Sequence, residues 1–523
     1  MSAAVHPGGT AMPLPIAVSE TAKSTLQNQV FEQIRLMIVK GQLKAGDPLP
    51  GTRELSMQMG ISRNTALLAY ERLISEGYIY TKPQVGTFVS EMLYEKVVSA
   101  SANGDVETPA ANGTVSDPPP PARSRQFLQT HSLRNPHTDR LTADFWIGRP
   151  DPASFPVKVW SRHIWRQLQR SHASLTEYND PQGLEKLRVA ISDHLGPARG
   201  IVVDADQIVI VSGCQDGFNL IARLLVETGT PLVIENPCYQ GAAYVFESFG
   251  AVPHPVPVDE CGLDVSQLPD VSRAVAYLTP SHQYPMGATL SLPRRLELLA
   301  WADTCDAYIV EDDYDSDFRF NGAPLTAVKG LDRSDRVIYT GTFSKCMGPG
   351  LRLGYVVLPK TLVEPARRLK ALMNNGQSWL EQSVMADFML DGGFRRHLRR
   401  MRRTYLARRD ALLAALETNF GKCHVRGADA GMHLIWRIPP GFPEAEEIEK
   451  RALRDGVGVY AMSTGAARQF GSLEESRRYL VLGYAAMTPK QIDNGISRLA
   501  KTLSREPCRS AAAETGVQQR TSP

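Results

Sequence analysis

Four consecutive prolines, Pro118, Pro119, Pro120 and Pro121, sit at the centre of a stretch that no single compact fold can absorb. Residues 91–140 are polar and poor in large aliphatic side chains. Such a segment buries too little apolar surface to offset the entropy of ordering it, and its prolines favour an extended spacer. It reads as a linker, and a chain of 523 residues has room for two to four domains around it. Residues 1–20, rich in Ala, Gly and Pro, and 503–523, with Ala511, Ala512, Ala513, Gln518 and Gln519, are expected to be disordered ends. Two folded bodies remain, 21–90 and 141–502. In the second, short apolar runs alternate with helical patterns, which reads as α/β with a mainly parallel sheet.

Composition narrows the class. Hydrophobic residues make up 43% of the chain and the net charge is only +3, so the molecule has the makings of a large core and is no polycation. Segment 21–90 holds four Lys and four Arg against five Asp or Glu, an excess compatible with DNA but not evidence for it. The seven cysteines (214, 238, 261, 305, 346, 423 and 508) are scattered and never form a CxxC pair. A disulfide framework or a zinc site is therefore not expected, and a reducing compartment fits. There is no secretory signal pattern and no apolar run of the ~18 residues a membrane span needs. The expectation is a cytoplasmic protein with no membrane partner.

In 21–90, Leu26, Val30, Ile34, Met37 and Ile38 recur at helical spacing. Thr52-Arg53-Glu54-Leu55-Ser56 opens a second helix capped by Gly51 or Thr52, and Gly60-Ile61 makes a tight turn. Ser62 caps a third helix, with Ala66, Tyr70, Leu73 and Ile74 facing inward. Tyr78-Ile79-Tyr80 and Thr87-Phe88-Val89 read as strands about a turn near Gln84 and Gly86. Helix, helix-turn-helix and hairpin is the order of a winged helix. The start of its third helix faces base edges, where Ser62, Arg63, Asn64 and Thr65 stand. Arg63 can bond guanine bidentately and Asn64 can read adenine. Arg53 and the backbone near Gly86 and Thr87 suit phosphates, and Tyr70 and Arg72 complete the expected DNA-facing set. The alternative is a small helical protein-interaction module with a solvated polar face.

The larger body carries a series of strand-then-loop stations. Ile208–Val211 leads into Ser212-Gly213-Cys214-Gln215-Asp216-Gly217, a glycine turn into a helix whose free N–H groups and dipole suit phosphate. After Leu232-Val233-Ile234, Tyr239 can stack on a flat ring, or simply pack. After 274–278, His282 or Gln283 can donate to a ring oxygen, or serve as ordinary turn residues. Ala307-Tyr308-Ile309-Val310 delivers Glu311-Asp312-Asp313-Tyr314-Asp315, a carboxylate cluster that needs a cation. A pyridinium nitrogen is one answer, with Asp312 opposite it and Tyr314 beside the phenolate. A metal is the other, although no histidine lies nearby in sequence, and no metal is expected. Val337-Ile338-Tyr339-Thr340 then delivers Thr342, Ser344 and Lys345, with Arg352 following. The hydroxyls and the guanidinium suit phosphate, and a partly desolvated Lys345 is an amine able to form an imine. The ligand these stations describe is pyridoxal 5'-phosphate.

The motifs Leu49-Pro50-Gly51-Thr52-Arg53-Glu54-Leu55, Gly60-Ile61-Ser62-Arg63-Asn64-Thr65 and Glu76-Gly77-Tyr78 resemble the GntR-type winged helix-turn-helix, with Gly51 where serine is usual. The larger body resembles fold-type I pyridoxal-phosphate aminotransferases, which implies a large domain with a mainly parallel sheet plus a small C-terminal α+β domain, about 375–502. Together, with Met401-Arg402-Arg403-Thr404-Tyr405, the chain resembles the MocR-type (GabR-like) regulators over about 22–500. The resemblance implies that Lys345 holds the cofactor, Asp312 pairs with its nitrogen and Tyr239 stacks on it. It implies a homodimer, with domains exchanged between subunits, in which Tyr178 of Tyr178-Asn179-Asp180-Pro181-Gln182-Gly183 reaches the partner's phosphate. Operator DNA, an amine or amino-acid effector (or the cofactor itself) and RNA polymerase are the remaining expected partners. Aminotransferases commonly place a carboxylate-binding arginine three positions before the aromatic of Leu482-Gly483-Tyr484-Ala485; here that position is Val481, and Arg437, Arg477 and Arg478 are the nearby substitutes. The leading reading is thus a regulator without productive turnover. The rivals are a working aminotransferase with a regulatory module, and a DNA-binding protein whose enzyme-like domain has lost its cofactor. The basic run Arg395–Arg403 is read as a solvated face over Phe394, Leu398, Met401 and Tyr405, against a second DNA contact.

Overall fold

The computed structural model describes residues 14–19, 24–90, 121, 124, 141–471 and 474–504. The chain divides into two units, Met1–Pro121 and Ala122–Pro523. The rest of the expected linker, residues 1–13 of the expected disordered start and 505–523 of the expected tail lie outside the described residues.

In the first unit, α1 (Leu26–Val39), α2 (Thr52–Met59) and α3 (Arg63–Ser75) pack around Val30, Phe31, Ile34, Leu55, Ala66, Ala69, Tyr70 and Leu73, all buried. Gly51 caps α2 with no side-chain bond, and Gly60 closes it in the left-handed conformation at φ 63°. Ser62 caps α3 by accepting from the Thr65 N–H. Strands β1 (Pro48–Leu49), β2 (Ile79–Lys82) and β3 (Gly86–Val89) form an antiparallel sheet in the order β1-β3-β2. The hairpin was legible; β1, which pairs Pro48 with Phe88, was not. Ile74 is 42% exposed rather than inward. One further correction follows from long-range packing. Residues 14–19 are held, with Leu14, Ile16 and Val18 against the helical core. Gln33 exchanges hydrogen bonds with the Ala17 backbone and Gln29 with that of Ser19.

The second unit is built on an eight-stranded sheet: β4 (Ile208–Val211), β5 (Pro231–Asn236), β6 (Val252–Asp259), β7 (Gly262–Leu263), β8 (Val275–Leu278), β9 (Tyr308–Asp313), β10 (Val337–Thr342) and β11 (Gly354–Val357). Their order is β4-β11-β10-β9-β8-β5-β6-β7. The run β10-β9-β8-β5-β6 is parallel, whereas β11 lies antiparallel to both β10 and β4. Four of the parallel strands, β5, β8, β9 and β10, are almost wholly buried, which is why they read as apolar runs, whereas β6 lies mostly at the surface. A smaller sheet of β12 (His424–Arg426), β13 (His433–Arg437), β14 (Tyr460–Ala461) and β15 (Tyr479–Gly483) has the order β12-β13-β15-β14. Nearby, Ala143–Asp144 pairs in parallel with Val457–Gly458, so the start of this unit is bound to its C-terminal part. On the helix Gly393–Phe420, Phe394, Leu398, Met401 and Tyr405 are buried beneath exposed arginines. Among the described residues no helix is long and apolar enough to cross a membrane.

Candidate cofactor cavity and DNA-reading surface

A cavity of about 520 Å³ opens where the ends of β4, β9 and β10 meet the small sheet. Its wall includes Gly213, Cys214, Gln215, Tyr239, Asp312, Tyr314, Thr342, Ser344, Lys345 and Arg352, drawn from stations up to about 140 residues apart. Gly213, at φ 88°, precedes the helix Cys214–Leu225 and caps it with no side chain, leaving the first N–H groups for a ligand. The glycine is required by that positive φ, which L side chains rarely adopt, and its Cα faces the Arg352 guanidinium, which a Cβ would meet at 3.5 Å. The Gln215 side chain donates to the Gly241 carbonyl at 2.8 Å and thus braces the turn.

The carboxylate cluster sorts itself by strand alternation, because β9 runs through Asp313 instead of stopping at Val310. Glu311 accepts from the backbone N–H groups of Val328 and Lys329, and Asp313 lies 2.7 Å from the Arg199 guanidinium. Asp312, on the other face, lines the cavity and accepts from Tyr277 at 2.7 Å and Thr340 at 3.3 Å. Burial pushes the Asp312 carboxyl up to about 6, against those two hydroxyls, which favour its ionised form. Between the usual 3.8 and about 6 the folded protein therefore holds a proton that the unfolded chain has released. In the cofactor-free protein this contribution to stability is lost as pH rises through that window. Denaturation across it should show the wild type losing stability relative to Asp312→Asn as pH increases.

Lys345 sits beside Gly148, whose carbonyl its ammonium meets at 3.5 Å; a Cβ on Gly148 would come within 2.7 Å of that nitrogen. The residues present fit pyridoxal phosphate: an amine for the aldehyde, a buried carboxylate for the ring nitrogen, and a bare helix start with Arg352 for the phosphate. Tyr239 lines the same cavity, its ring edge-on to Tyr284 at 5.8 Å.

Three expected cofactor residues fall outside this wall. Gln283 is fully buried and donates to the carbonyls of Pro237 and Tyr284 and to Glu235. His282 is buried against Asp315, 2.9 Å from its carboxylate, and accepts or donates at the Tyr314 hydroxyl. Both therefore brace the loop behind the cavity instead of facing into it. His433 packs on His282 with ring centroids 4.9 Å apart, so histidines absent from the local sequence do reach the acidic cluster in space. Tyr178 is 87% exposed and lies away from the cavity of its own chain. Conversely, Trp146, Ile147, Gly148 and Arg149 line the cavity without any motif to announce them. The only local signal was Gly148 in an apolar run directly after the linker. None of the candidate substitutes for an arginine at Val481 lines the cavity: Arg437 pairs with Glu475, Arg477 with Glu444, and Arg478 holds the carbonyls of Ile438, Pro439 and Phe442.

In the first unit, Ser62, Arg63 and Asn64 are exposed at the start of α3, with Thr65 half-buried, Arg53 exposed on α2, and Gly86 and Thr87 on the hairpin. Leu67 and Leu68, 42% and 38% exposed, continue the Asn64 face, where apolar groups can cover a thymine methyl. Two expected DNA contacts are structural. Tyr70 is buried and donates to the Pro50 carbonyl at 2.8 Å, tying α3 to the approach of α2. Arg72 stacks 3.8 Å over Phe31, pairs with Glu76 and donates to Asn28, so it joins α3 to α1. Tyr70→Phe should cost about 1–2 kcal/mol of stability through the orphaned carbonyl while leaving operator discrimination unchanged. Urea denaturation and competition binding with mutated operators check the two halves of that statement.

Comparison with known proteins places these observations. Residues 150–499 match the family model of class I and II aminotransferases, and residues 26–89 that of the gntR family of bacterial regulatory proteins. The chain is 33% identical to the probable rhizopine catabolism regulatory protein MocR of Rhizobium meliloti, over 92% of its own length and 95% of that protein. It is 32% identical to the HTH-type pyridoxine biosynthesis transcriptional regulator PdxR of Corynebacterium glutamicum, over 81% and 85%. Among solved structures it is similar to a kynurenine aminotransferase of Pyrococcus horikoshii: 27% identity, TM-score 0.62, covering 76% of this chain and 98% of that one.

Proposed function

Since the chain belongs to the MocR-type family, DNA-binding transcriptional regulators that join a GntR-type winged helix to a pyridoxal-phosphate-binding aminotransferase domain, we propose that it reads an amine or amino-acid effector at Lys345 and alters operator occupancy in response. The observation that carries this reading is the convergence of Lys345, Asp312, Gly213 and Arg352 on one cavity. Pyridoxal phosphate supplies an aldehyde that exchanges amines and a ring that withdraws electrons. The chain's own residues do the rest. Lys345 presents its amine to the aldehyde, Asp312 holds negative charge opposite the ring nitrogen, and Tyr239 and the Trp146–Arg149 segment shield the site from water. The helix start at Cys214, Thr342, Ser344 and Arg352 fix the phosphate.

Arg63 and Asn64 read bases, Arg53 and the hairpin backbone hold phosphates, and a second copy of the chain is needed for paired half-sites. Exposed Trp165, Leu168, Leu175 and Tyr178 supply apolar surface for that second copy, in which Tyr178 reaches across to the partner's cavity and the reading domains are exchanged. The protein acts in the cytoplasm, and RNA polymerase is its downstream partner. The effector shifts DNA binding only by as much as it prefers one arrangement over another.

Titrating amines into the cofactor-loaded protein, while following both its visible absorbance and operator binding, tests the proposal. Coupled changes support it. A protein that takes up no cofactor, or sustained production of a keto or aldehyde product, replaces it with the DNA-only or the enzyme reading.

A further inference from the structure

Among the described residues four basic side chains line the cavity: Arg149, Lys345, Arg352 and His433. In the reading given above, on which this inference rests, Lys345 and Arg352 are committed to the cofactor. His433 is fully buried, and burial pushes its imidazole down to about 3, so it is uncharged at neutral pH. Arg149 is already paired: its guanidinium lies 2.7 Å from Asp144, which also accepts from the Tyr460 hydroxyl at 2.5 Å. No uncompensated cation is left among these four for an incoming carboxylate.

The position where aminotransferases hold that carboxylate is not merely neutral. Val481 is 1% exposed and belongs to an apolar cluster with Tyr284, Met286, Ile435 and Met462. Ile147 and Tyr239 pack on the same cluster and, with Tyr284, also line the cavity. A carboxylate brought there would lose water and find only phenol hydroxyls, with no cation left among the four to balance its charge. An apolar or aromatic body would instead cover the rings of Tyr239 and Tyr284.

We propose that the effector of this cavity is a primary amine with an apolar, aromatic-compatible body and no carboxylate beside its nitrogen. Arg149, Asp144 and Tyr460 are in this view a neutral wall and not a carboxylate clamp.

Matched pairs test it: 2-phenylethylamine against L-phenylalanine, and isopentylamine against L-leucine, each differing by one carboxylate. The full chain is loaded with pyridoxal phosphate, freed of excess, and titrated by calorimetry, with operator affinity as the second readout. Each amine should bind at least ~tenfold more tightly than its amino acid and move operator affinity at lower concentration. The inference is overturned if the amino acid of either pair binds as well as its amine, or if neither amine binds. Failure of the underlying reading looks different, since that protein gains no visible absorbance at the loading step. Asp144→Asn, which uncovers the Arg149 charge, should shift the preference toward L-phenylalanine by roughly tenfold. An unchanged preference in a folded variant would show that Arg149 was never neutralised by Asp144.

Discussion

Lys345→Ala should abolish the imine band that the wild type gains with pyridoxal phosphate, and lower retention of the cofactor through gel filtration to what non-covalent contacts alone sustain. The expectation rests on isolation as much as on identity. Among the described residues Lys345 is the only lysine in the cavity wall, so no second amine stands ready to replace it. Its surroundings also limit collateral damage. The ammonium has a long contact to the Gly148 carbonyl, so its removal leaves no strong internal bond broken. The variant should melt close to the cofactor-free wild type and bind operator DNA with comparable affinity in the absence of effector. Insensitivity of that binding to amines, with the fold intact, would place the sensing step at this nitrogen. An unchanged spectrum would remove Lys345 from the site.

Arg63→Ala should do the reverse. The side chain is exposed at the first turn of α3, where Ser62 already caps the helix, so its loss costs little stability. At a cognate guanine it should cost about 1–3 kcal/mol of binding and relax discrimination at that base alone. Equilibrium binding to the operator and to single-base variants measures both, and the salt must be held constant because phosphate contacts dominate affinity. A uniform loss across all sequences would make Arg63 a phosphate contact. Cofactor uptake should not change.

The two halves of the molecule were legible to different depths. The glycine turn after β4, the lysine loop and the carboxylate strand each sit within a few residues of an apolar run, so local pattern alone singled out residues that the fold brings to one cavity. Alternation along β9 even separates Asp312 from Glu311 and Asp313, a distinction available from period two alone. Tyr70 was also decidable: it stands four residues after Ala66 and three before Leu73, on the inward stripe of α3. What could not be read were contacts between distant segments. Arg72 meets Phe31 across 41 positions, and Trp146–Arg149 reach the cavity because the neighbouring Ala143–Asp144 pairs with Val457–Gly458 far along the chain. The fate of Gln283 depended on Glu235 and the carbonyl of Pro237, 46 residues upstream, filling its hydrogen-bonding capacity.

Residues 14–19 bear on how such regulators trade parts. The matched gntR segment begins at residue 26, the first turn of α1, yet Leu14, Ile16 and Val18 already cover that helix bundle, and Gln29 and Gln33 bond the backbones of Ser19 and Ala17. A chimera that grafts this reading head onto another sensor at the family boundary would strip away that cover, exposing apolar surface and returning two amides to water. The exchangeable unit is longer than the recognisable one, and transplants should carry the chain from residue 14 onward.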